Sequence, residues 1–406
     1  MIFMTLLFIL FLLASVTCQF IPDPRQYQTS VLIGTRLFSF GGYTGKPEYT
    51  KETVILDLSK PFYTSHPTWS RDTKGTAPMS SEFSTSCLSP IDTSTVYIIG
   101  GVSYDEVSSS FVKPSLVYTF NSIDSTWSPF TTSGFTTFDS NMSNVYNDIQ
   151  AIMRHGLIYI FGGTNTSSPQ ESNLTTISTI ITTMSVLNTK KMTWLFFNFT
   201  DTPTPREAYT ATLLKNGYIV YIGGTEKPNG ASNETSVNMN NIPIFDTDDL
   251  TWISMTASGD TVGSRNSHSA VLTNDGKIII FGGQSGYGFV HVSPDLAILD
   301  TNSNPYKWII PSISTANAPP PLAGHSSILY NNYMVIIFGR QTTVQPIIGT
   351  VPLMNNQVYL FDVEKSVWVS YFKSNSSGKC TISYIGIIAT IFSLLIVIDW
   401  NWLLLL

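Results

Sequence analysis

Six times in 406 residues a short apolar run drives into glycine, and the interval between these events hardly changes. The fullest example is Lys277-Ile278-Ile279-Ile280-Phe281-Gly282-Gly283. Equivalent pairs stand at Gly41-Gly42, Gly100-Gly101, Gly162-Gly163 and Gly223-Gly224, with a weakened form at Gly339-Arg340. The first glycines are 59, 62, 61, 59 and 57 residues apart. Self-similarity at a fixed period marks a repeat architecture and settles the fold before composition is considered.

Each repeat carries more than its glycines. A second β run ends in Asp or Asn at Asp57, Asn121, Asn188, Asp246, Asp300 and Asp362. One tryptophan follows each time, at Trp69, Trp127, Trp194, Trp252, Trp308 and Trp368. Upstream of the glycines lies another apolar run and a turn, as in Ser269–Thr273 and Asn274-Asp275-Gly276. Each unit therefore reads as four short strands, a to d, bounded by turn residues. Glycine after strand b allows a close turn at positive φ, and the tryptophan supplies an apolar plate between neighbouring sheets. The Asp or Asn bonds its own backbone in the c–d turn. A four-stranded sheet repeated six times predicts an all-β, six-bladed propeller.

The diglycine sites and the tryptophans resemble the kelch repeat family over roughly residues 25 to 372. The resemblance implies a kelch-type β-propeller. It leaves function open, because kelch propellers serve as adaptors, as receptor ectodomains and, in a few cases, as enzymes. Two departures stand out. Arg340 occupies the second glycine place of the sixth repeat, and a period near 60 exceeds the usual ~50, which implies long loops.

Composition adds limits. Charged residues make up 12% of the chain and the net charge is −6, with no basic patch, which argues against nucleic acid as a partner. Residues 1–18 read as a signal peptide: Ile2 to Ala14 is apolar but too short to span a bilayer, and cleavage is expected before Gln19. Residues 19–373 then form the propeller, 374–381 a linker, and 382–406 either a transmembrane helix or a GPI-attachment tail. The reading is a secreted, membrane-anchored cell-surface protein. Six sequons at Asn141, Asn165, Asn173, Asn198, Asn233 and Asn375 fit passage through a glycosylating pathway. Of the three cysteines, Cys87 and Cys380 remain after cleavage and are not expected to pair.

The residues that draw attention for chemistry lie at the starts of strands a, which line the central channel. His268 and His325 stand fourteen residues before the first glycine of their repeats, as do Tyr27 and Tyr209. Arg25, Arg206 and Arg265 precede them by two or three residues. One reading makes them architectural, since repetition across units marks the scaffold. The other makes them a ligand-binding ring at the channel mouth that receives an acidic loop or a sugar. No cofactor or metal is expected. Some kelch propellers are copper-radical oxidases of the galactose-oxidase type, and His268, His325, Tyr27, Tyr209 and Cys87 supply the residue types; equivalent repeat positions would spread them around a ring instead of gathering them on one ion. The expected role is a cell-surface recognition module for a protein or glycan, working through the loops, with an extracellular galactose-oxidase-like copper oxidase or another channel-mouth enzyme as the alternative.

Overall fold

The structure is a computed structural model. It describes residues 19–45, 49–105, 110–112, 116–134, 146–166, 178–226, 235–286, 288–343 and 353–374. The expected signal peptide (1–18), the expected C-terminal anchor (382–406) and the sequons Asn141, Asn173, Asn233 and Asn375 lie outside the described residues. Asn165 lies in the strand Thr164–Thr166, and Asn198 is exposed just beyond the strand Thr193–Phe197. No helix occurs among the described residues, so none there is long and apolar enough to cross a membrane.

All the described strands lie within Met1–Lys373, which forms one compact unit. Each repeat contributes antiparallel strands in the order a-b-c-d, and in the fifth the short strand Ser258–Gly259 adds in parallel beside strand d. In the fifth repeat strands a to d are Ser269–Leu272, Lys277–Phe281, Leu296–Asp300 and Lys307–Ile309. The six a strands, from Thr29–Ile33 in the first repeat to Ser326–Tyr330 in the sixth, touch one another in succession, and the sixth touches the first. The b strands are the most deeply buried, because each is flanked within its own sheet and covered on both faces by neighbouring sheets. Lys277–Phe281 and Tyr333–Ile337 are buried in all but their first residue.

Six separate apolar clusters hold this arrangement, one at each junction between consecutive sheets. The tryptophans belong to them. Trp368 meets Phe281 of the preceding sheet edge-on at 5.4 Å, Trp252 meets Phe161 at 4.6 Å, and Trp127 meets Phe40 at 5.5 Å. Every tryptophan pairs across strand c with the residue before the Asp or Asn, as Phe361 with Trp368 and Leu299 with Trp308. The Asp and Asn side chains accept backbone N–H groups in their own turns: Asp57 from Ser59 at 2.9 Å, Asn188 from Lys191 at 2.9 Å, Asp246 from Asp248 at 2.9 Å. The c–d turn is thus fixed by the side chain that ends strand c.

The glycine pairs make the junctions possible. The second glycine donates its N–H to a carbonyl of the next repeat: Gly42 to Ser81, Gly163 to Arg206, Gly224 to Arg265 and Gly283 to Leu322. In the sixth repeat it is Gly339 that donates, to Arg25 of the first repeat at 2.8 Å. This corrects the register read from the sequence. Gly339 is the second glycine, Phe338 holds the first place at φ 63°, and Arg340 replaces no glycine but opens the short strand Arg340–Gln341. The Phe338 side chain fills the junction between the last and first sheets, 5.4 Å from the Trp69 ring and beneath the Arg25 guanidinium at 5.1 Å.

The residues that lengthen the repeat are not plain loop. The segment before strand a pairs with the segment after the glycines: Ser80–Glu82 with Val102–Asp105, Tyr146–Asn147 with Thr164–Thr166, Arg206–Glu207 with Thr225–Glu226, and Leu322–Ala323 with Arg340–Gln341. In three repeats a third strand joins, as Ser178–Ile180 does in the third repeat. These small sheets sit at the d–a and b–c end of the large ones and cap one face with hydrogen-bonded structure.

A pair of two-residue strands joins the last repeat to the first. Phe62–Tyr63 of the first repeat pairs antiparallel with Tyr371–Phe372, which follows the last d strand. Phe372 is fully buried, stacks on Phe62 at 5.0 Å and touches Tyr333 and Tyr330. Phe20 packs onto the same cluster, and Asn356 donates to the Pro22 carbonyl at 3.1 Å.

Candidate functional site at the channel mouth

The a strands leave a polar channel of about 210 Å³ between them, opening through a mouth of about 130 Å³ on the face that bears the small sheets. The mouth is framed by one residue per repeat: Tyr27, Phe83, Asp148, Ala208, Ser267 and Gly324, all with φ between 51° and 64°. Backbone hydrogen bonds run around the frame. Tyr27 donates to Gly324 (2.8 Å), Gly324 to Ser267 (2.9 Å), Ser267 to Ala208 (2.9 Å), Ala208 to Asp148 (3.0 Å), and Phe83 to Tyr27 (3.1 Å). The left-handed backbone costs about 1–2 kcal/mol at each non-glycine position, and this arc of five hydrogen bonds, running from Phe83 round to Asp148, offsets it. The Tyr27 and Phe83 rings lie 4.2 Å apart at this frame.

One residue deeper, the side chains join the sheets. Thr210 shares a hydrogen bond with His268 Nε2 at 3.0 Å, and Ser269 with His325 Nε2 at 2.7 Å. Tyr209 donates to the Phe161 carbonyl, Gln28 to Ser326 Oγ at 3.0 Å, Thr29 to Ser86 at 2.7 Å, and the Ala151 N–H to Thr85 at 3.0 Å. Every neighbouring pair of sheets is bridged this way. Both imidazoles lie close over the first glycine of the preceding sheet: a Cβ built on Gly223 or on Gly282 comes within 2.8 Å of Cε1 of His268 or His325.

The sequence-derived candidates therefore separate. Tyr209, His268 and His325 share one register, and all three bridge sheets. Tyr27 belongs one position earlier, in the frame. Its repeat has an a–b turn one residue shorter, so counting back from glycine misplaced it. Arg25, Arg206 and Arg265 do not face the mouth. They are fully buried at the sheet junctions, with guanidinium groups donating to the first-glycine carbonyl of their own repeat: Gly41 at 3.2 Å, Gly223 at 3.4 Å and Gly282 at 2.8 Å. Burial lowers Arg206 and Arg265 to about 10, still protonated at neutral pH, and Arg25 pairs with Glu52 at 2.7 Å. The copper-oxidase donor set does not assemble. Tyr209, His268 and His325 direct their polar atoms to three different sheet junctions. Cys87 sits in the cluster between the second and third repeats, where burial pushes its thiol up to about 12. Among the described residues no three His, Cys, Asp or Glu side chains are grouped to hold an ion.

Asp148, Phe83 and Gln28 were missed because they break the repeat pattern, and repeat reasoning looks for what recurs. Burial first, then the charges of Glu207 and Glu82, hold the Asp148 carboxyl well above the ordinary carboxylate range.

The histidines give the protein a pH dependence with a definite sign. Burial depresses His325 to about 3, and burial, Arg265 and His325 together depress His268 well below its usual value. The unfolded chain binds these protons more readily, so their contribution is complete above about pH 6.5 and is lost as pH falls toward the folded values. His325 alone should lower stability by roughly 2 kcal/mol between pH 7 and pH 5. Urea denaturation at the two pH values checks this, and His325→Gln, which retains a polar partner for Ser269, should shrink the difference by roughly 2 kcal/mol and leave the share that His268 supplies. An equal slope in the variant would assign the acid sensitivity elsewhere.

Known proteins place this architecture. Residues 15–292 match the family model of the Attractin/LZTR1 beta-propeller, and residues 223–382 match the KLHDC2/KLHL20/DRC7 Kelch-repeats domain. Kelch domain-containing protein 3 of Rattus norvegicus is 25% identical over 264 residues, covering 64% of each chain. Tip elongation aberrant protein 1 of Schizosaccharomyces pombe is 29% identical over 220 residues, covering 53% of this chain and 17% of its own. The chain thus spans less than two thirds of the length of these curated relatives. A solved structure of YjhT superposes with a TM-score of 0.59 at 14% identity, covering 86% of this chain and 98% of its own, which speaks to fold alone. With the glycine pairs, the tryptophan plates and the ring of sheets in place, the chain belongs to the Attractin/LZTR1 beta-propeller family, a kelch-type β-propeller.

Proposed function

We propose that this chain is a six-bladed kelch propeller that acts as a protein-recognition module at the cell surface. The observation that carries the reading is the tier of small sheets on one face. They hold the d–a and b–c segments on a hydrogen-bonded platform, and loops positioned by a rigid scaffold are where binding residues concentrate. Family membership supports protein binding as the general role. The apolar segments at 1–18 and 382–406 support secretion and anchoring, by a single span or a GPI tail. The sequons support glycosylation. Asn165 and Asn198 belong to the third repeat and its exit, so glycans there would direct a protein partner toward the other repeats. A glycan ligand would use the same face.

The test is affinity capture with the full chain displayed on cells, followed by hydrogen-exchange mapping of the captured partner's footprint. Protection is expected in the small sheets, for instance at Arg340–Gln341 and Gln284–Ser285. A footprint confined to the opposite face, at turns such as Asn274–Gly276, overturns the assignment of the face. An N-terminal peptide of the surface protein beginning at Gln19 is expected, and one that retains residues 1–18 overturns the secretory reading.

A further inference from the structure

The mouth is chemically one-sided. The Asp148 carboxyl reaches it from the third repeat and has no hydrogen bond or ion pair among the described residues. Gln28, from the first repeat, is only 6% exposed, and its Oε1 has no partner. Ser84, from the second repeat, is 9% exposed, and its Oγ has none either. All three line the same cavity of about 130 Å³, beside the paired rings of Tyr27 and Phe83. A buried polar atom without a partner costs about 1–3 kcal/mol, so Gln28 Oε1 and Ser84 Oγ, beside the half-buried Asp148, ask for an occupant.

The occupant's chemistry follows from what is unmet. An ionised carboxylate and an amide oxygen accept hydrogen bonds and cannot donate; a hydroxyl does either. An anion would meet the negative fields of Asp148, Glu82 and Glu207. A neutral sugar brings donors but nothing to balance the charge of an ionised carboxylate. A cation brings both, and the aromatic pair adds a favourable face for it. The three acceptors come from three successive repeats, so they approach from different directions. That suits the three rotatable donors of an ammonium better than the flat fork of a guanidinium.

We infer that the channel mouth is a receptor for an alkylammonium group, the lysine side chain of a bound protein partner, held by Asp148, Gln28 and Ser84 against Tyr27 and Phe83. This deepens the recognition role and rests on it for the source of the lysine.

The site couples binding to a proton. In the free protein burial, and then Glu207 and Glu82, oppose the Asp148 charge and raise its carboxyl well above the ordinary carboxylate range. An arriving ammonium acts in the opposite sense and lowers it, so a protonated carboxyl gives up its proton to solvent as the cation enters. The other groups around it do not compete. Tyr27 is raised far above neutrality by burial, His268 is neutral, and the positive charge of Arg340 is felt at Tyr27. Affinity therefore rises with pH, by up to about tenfold per unit while Asp148 is protonated in the free protein.

The experiment is an NMR and calorimetric titration of the full chain with Nα-acetyl-lysine methylamide at about pH 8 and about pH 6. Saturable binding is expected at the higher pH, weaker at the lower, with a heat that varies with the ionisation enthalpy of the buffer. Asp148→Asn copies the protonated carboxyl, so the fold is expected to persist while binding falls at least tenfold and its pH dependence vanishes. Ser84→Ala, a milder change, should weaken binding severalfold and keep the pH dependence. A folded wild-type chain that does not bind the amine, or an Asp148→Asn chain that binds as well as wild type, overturns the inference. Equal or tighter binding of Nα-acetyl-arginine methylamide overturns the ammonium assignment. The amine is tested without any partner, so its failure leaves the docking face standing, and failure to capture a partner leaves the amine result intact.

Discussion

Gly282→Ala is expected to cost the propeller about 2–5 kcal/mol, with one added methyl group as the whole chemical change. The estimate has two sources. An L-residue at φ 65° costs about 1–2 kcal/mol, and a methyl forced into a packed junction about 1–3 kcal/mol. The second source dominates here. The new Cβ would lie 2.2 Å from the Leu322 carbonyl oxygen and 2.8 Å from His325 Cε1. The carbonyl is fixed because it also accepts the Gly283 N–H at 2.8 Å, and the imidazole because it bonds Ser269. Relief would need the fifth and sixth sheets to separate, which opens the cluster containing Phe281, Met334 and Trp368. Urea denaturation of the variant measures the loss, and a change below about 1 kcal/mol would show that the junction can slide. Phe338 supplies the contrast. It carries a large side chain at the equivalent place, at φ 63°, and is fully buried. There the side chain is part of the seam between last and first sheets, so Phe338→Gly should also destabilise, although it restores the glycine of the other repeats.

These two positions also mark how far the sequence is readable. The repeat, its four strands, the tryptophan plates and the Asp and Asn turns are all visible in the chain, because each rests on a residue type with one local physical task. Phe338-Gly339 was misaligned because a strand ending in Phe before Gly looks the same as Phe281-Gly282. Only the inter-sheet bond from Gly339 to Arg25 tells the two apart. The small sheets stayed invisible because strands of two or three residues, such as Arg206–Glu207, are too short to express an alternating pattern. The site was legible in part. Recurrence picked out Tyr209, His268 and His325, and the structure gives them inter-sheet bonds. The residues that make the mouth chemically distinct, Asp148, Phe83 and Gln28, are those that do not recur. Arg25, Arg206 and Arg265 look like ligands because arginine is rarely fully buried, yet here it meets backbone carbonyls at the junctions.

The closure of the ring was the other unreadable feature, and it yields a second large effect. Phe372→Ala should cost about 3–5 kcal/mol, the usual range for a fully buried phenylalanine. Tyr371→Ala beside it should cost under about 1 kcal/mol, since Tyr371 is 42% exposed and contacts mainly Tyr63. The reason for the difference is topological. A ring of sheets whose last member is not covalently continuous with its first has one junction that the chain does not close by itself. Here the two-residue strand Tyr371–Phe372 reaches across it to Phe62–Tyr63, and the Phe372 ring sits among Phe62, Tyr330 and Tyr333, residues drawn from both ends of the repeat series. Removing the ring leaves the backbone pairing with little apolar surface to hold it, and the first and last sheets then rely on the rest of their shared cluster, around Leu56, Trp69, Val335 and Phe338, without the clasp. Hydrogen exchange separates this account from a general loss of stability. Amides of Thr29–Ile33 and Ser326–Tyr330 should lose protection in Phe372→Ala before those of the distant strand Tyr218–Ile222. Uniform loss across all six sheets would mean that the ring opens only by unfolding as a whole, and that the clasp adds stability without governing where opening starts.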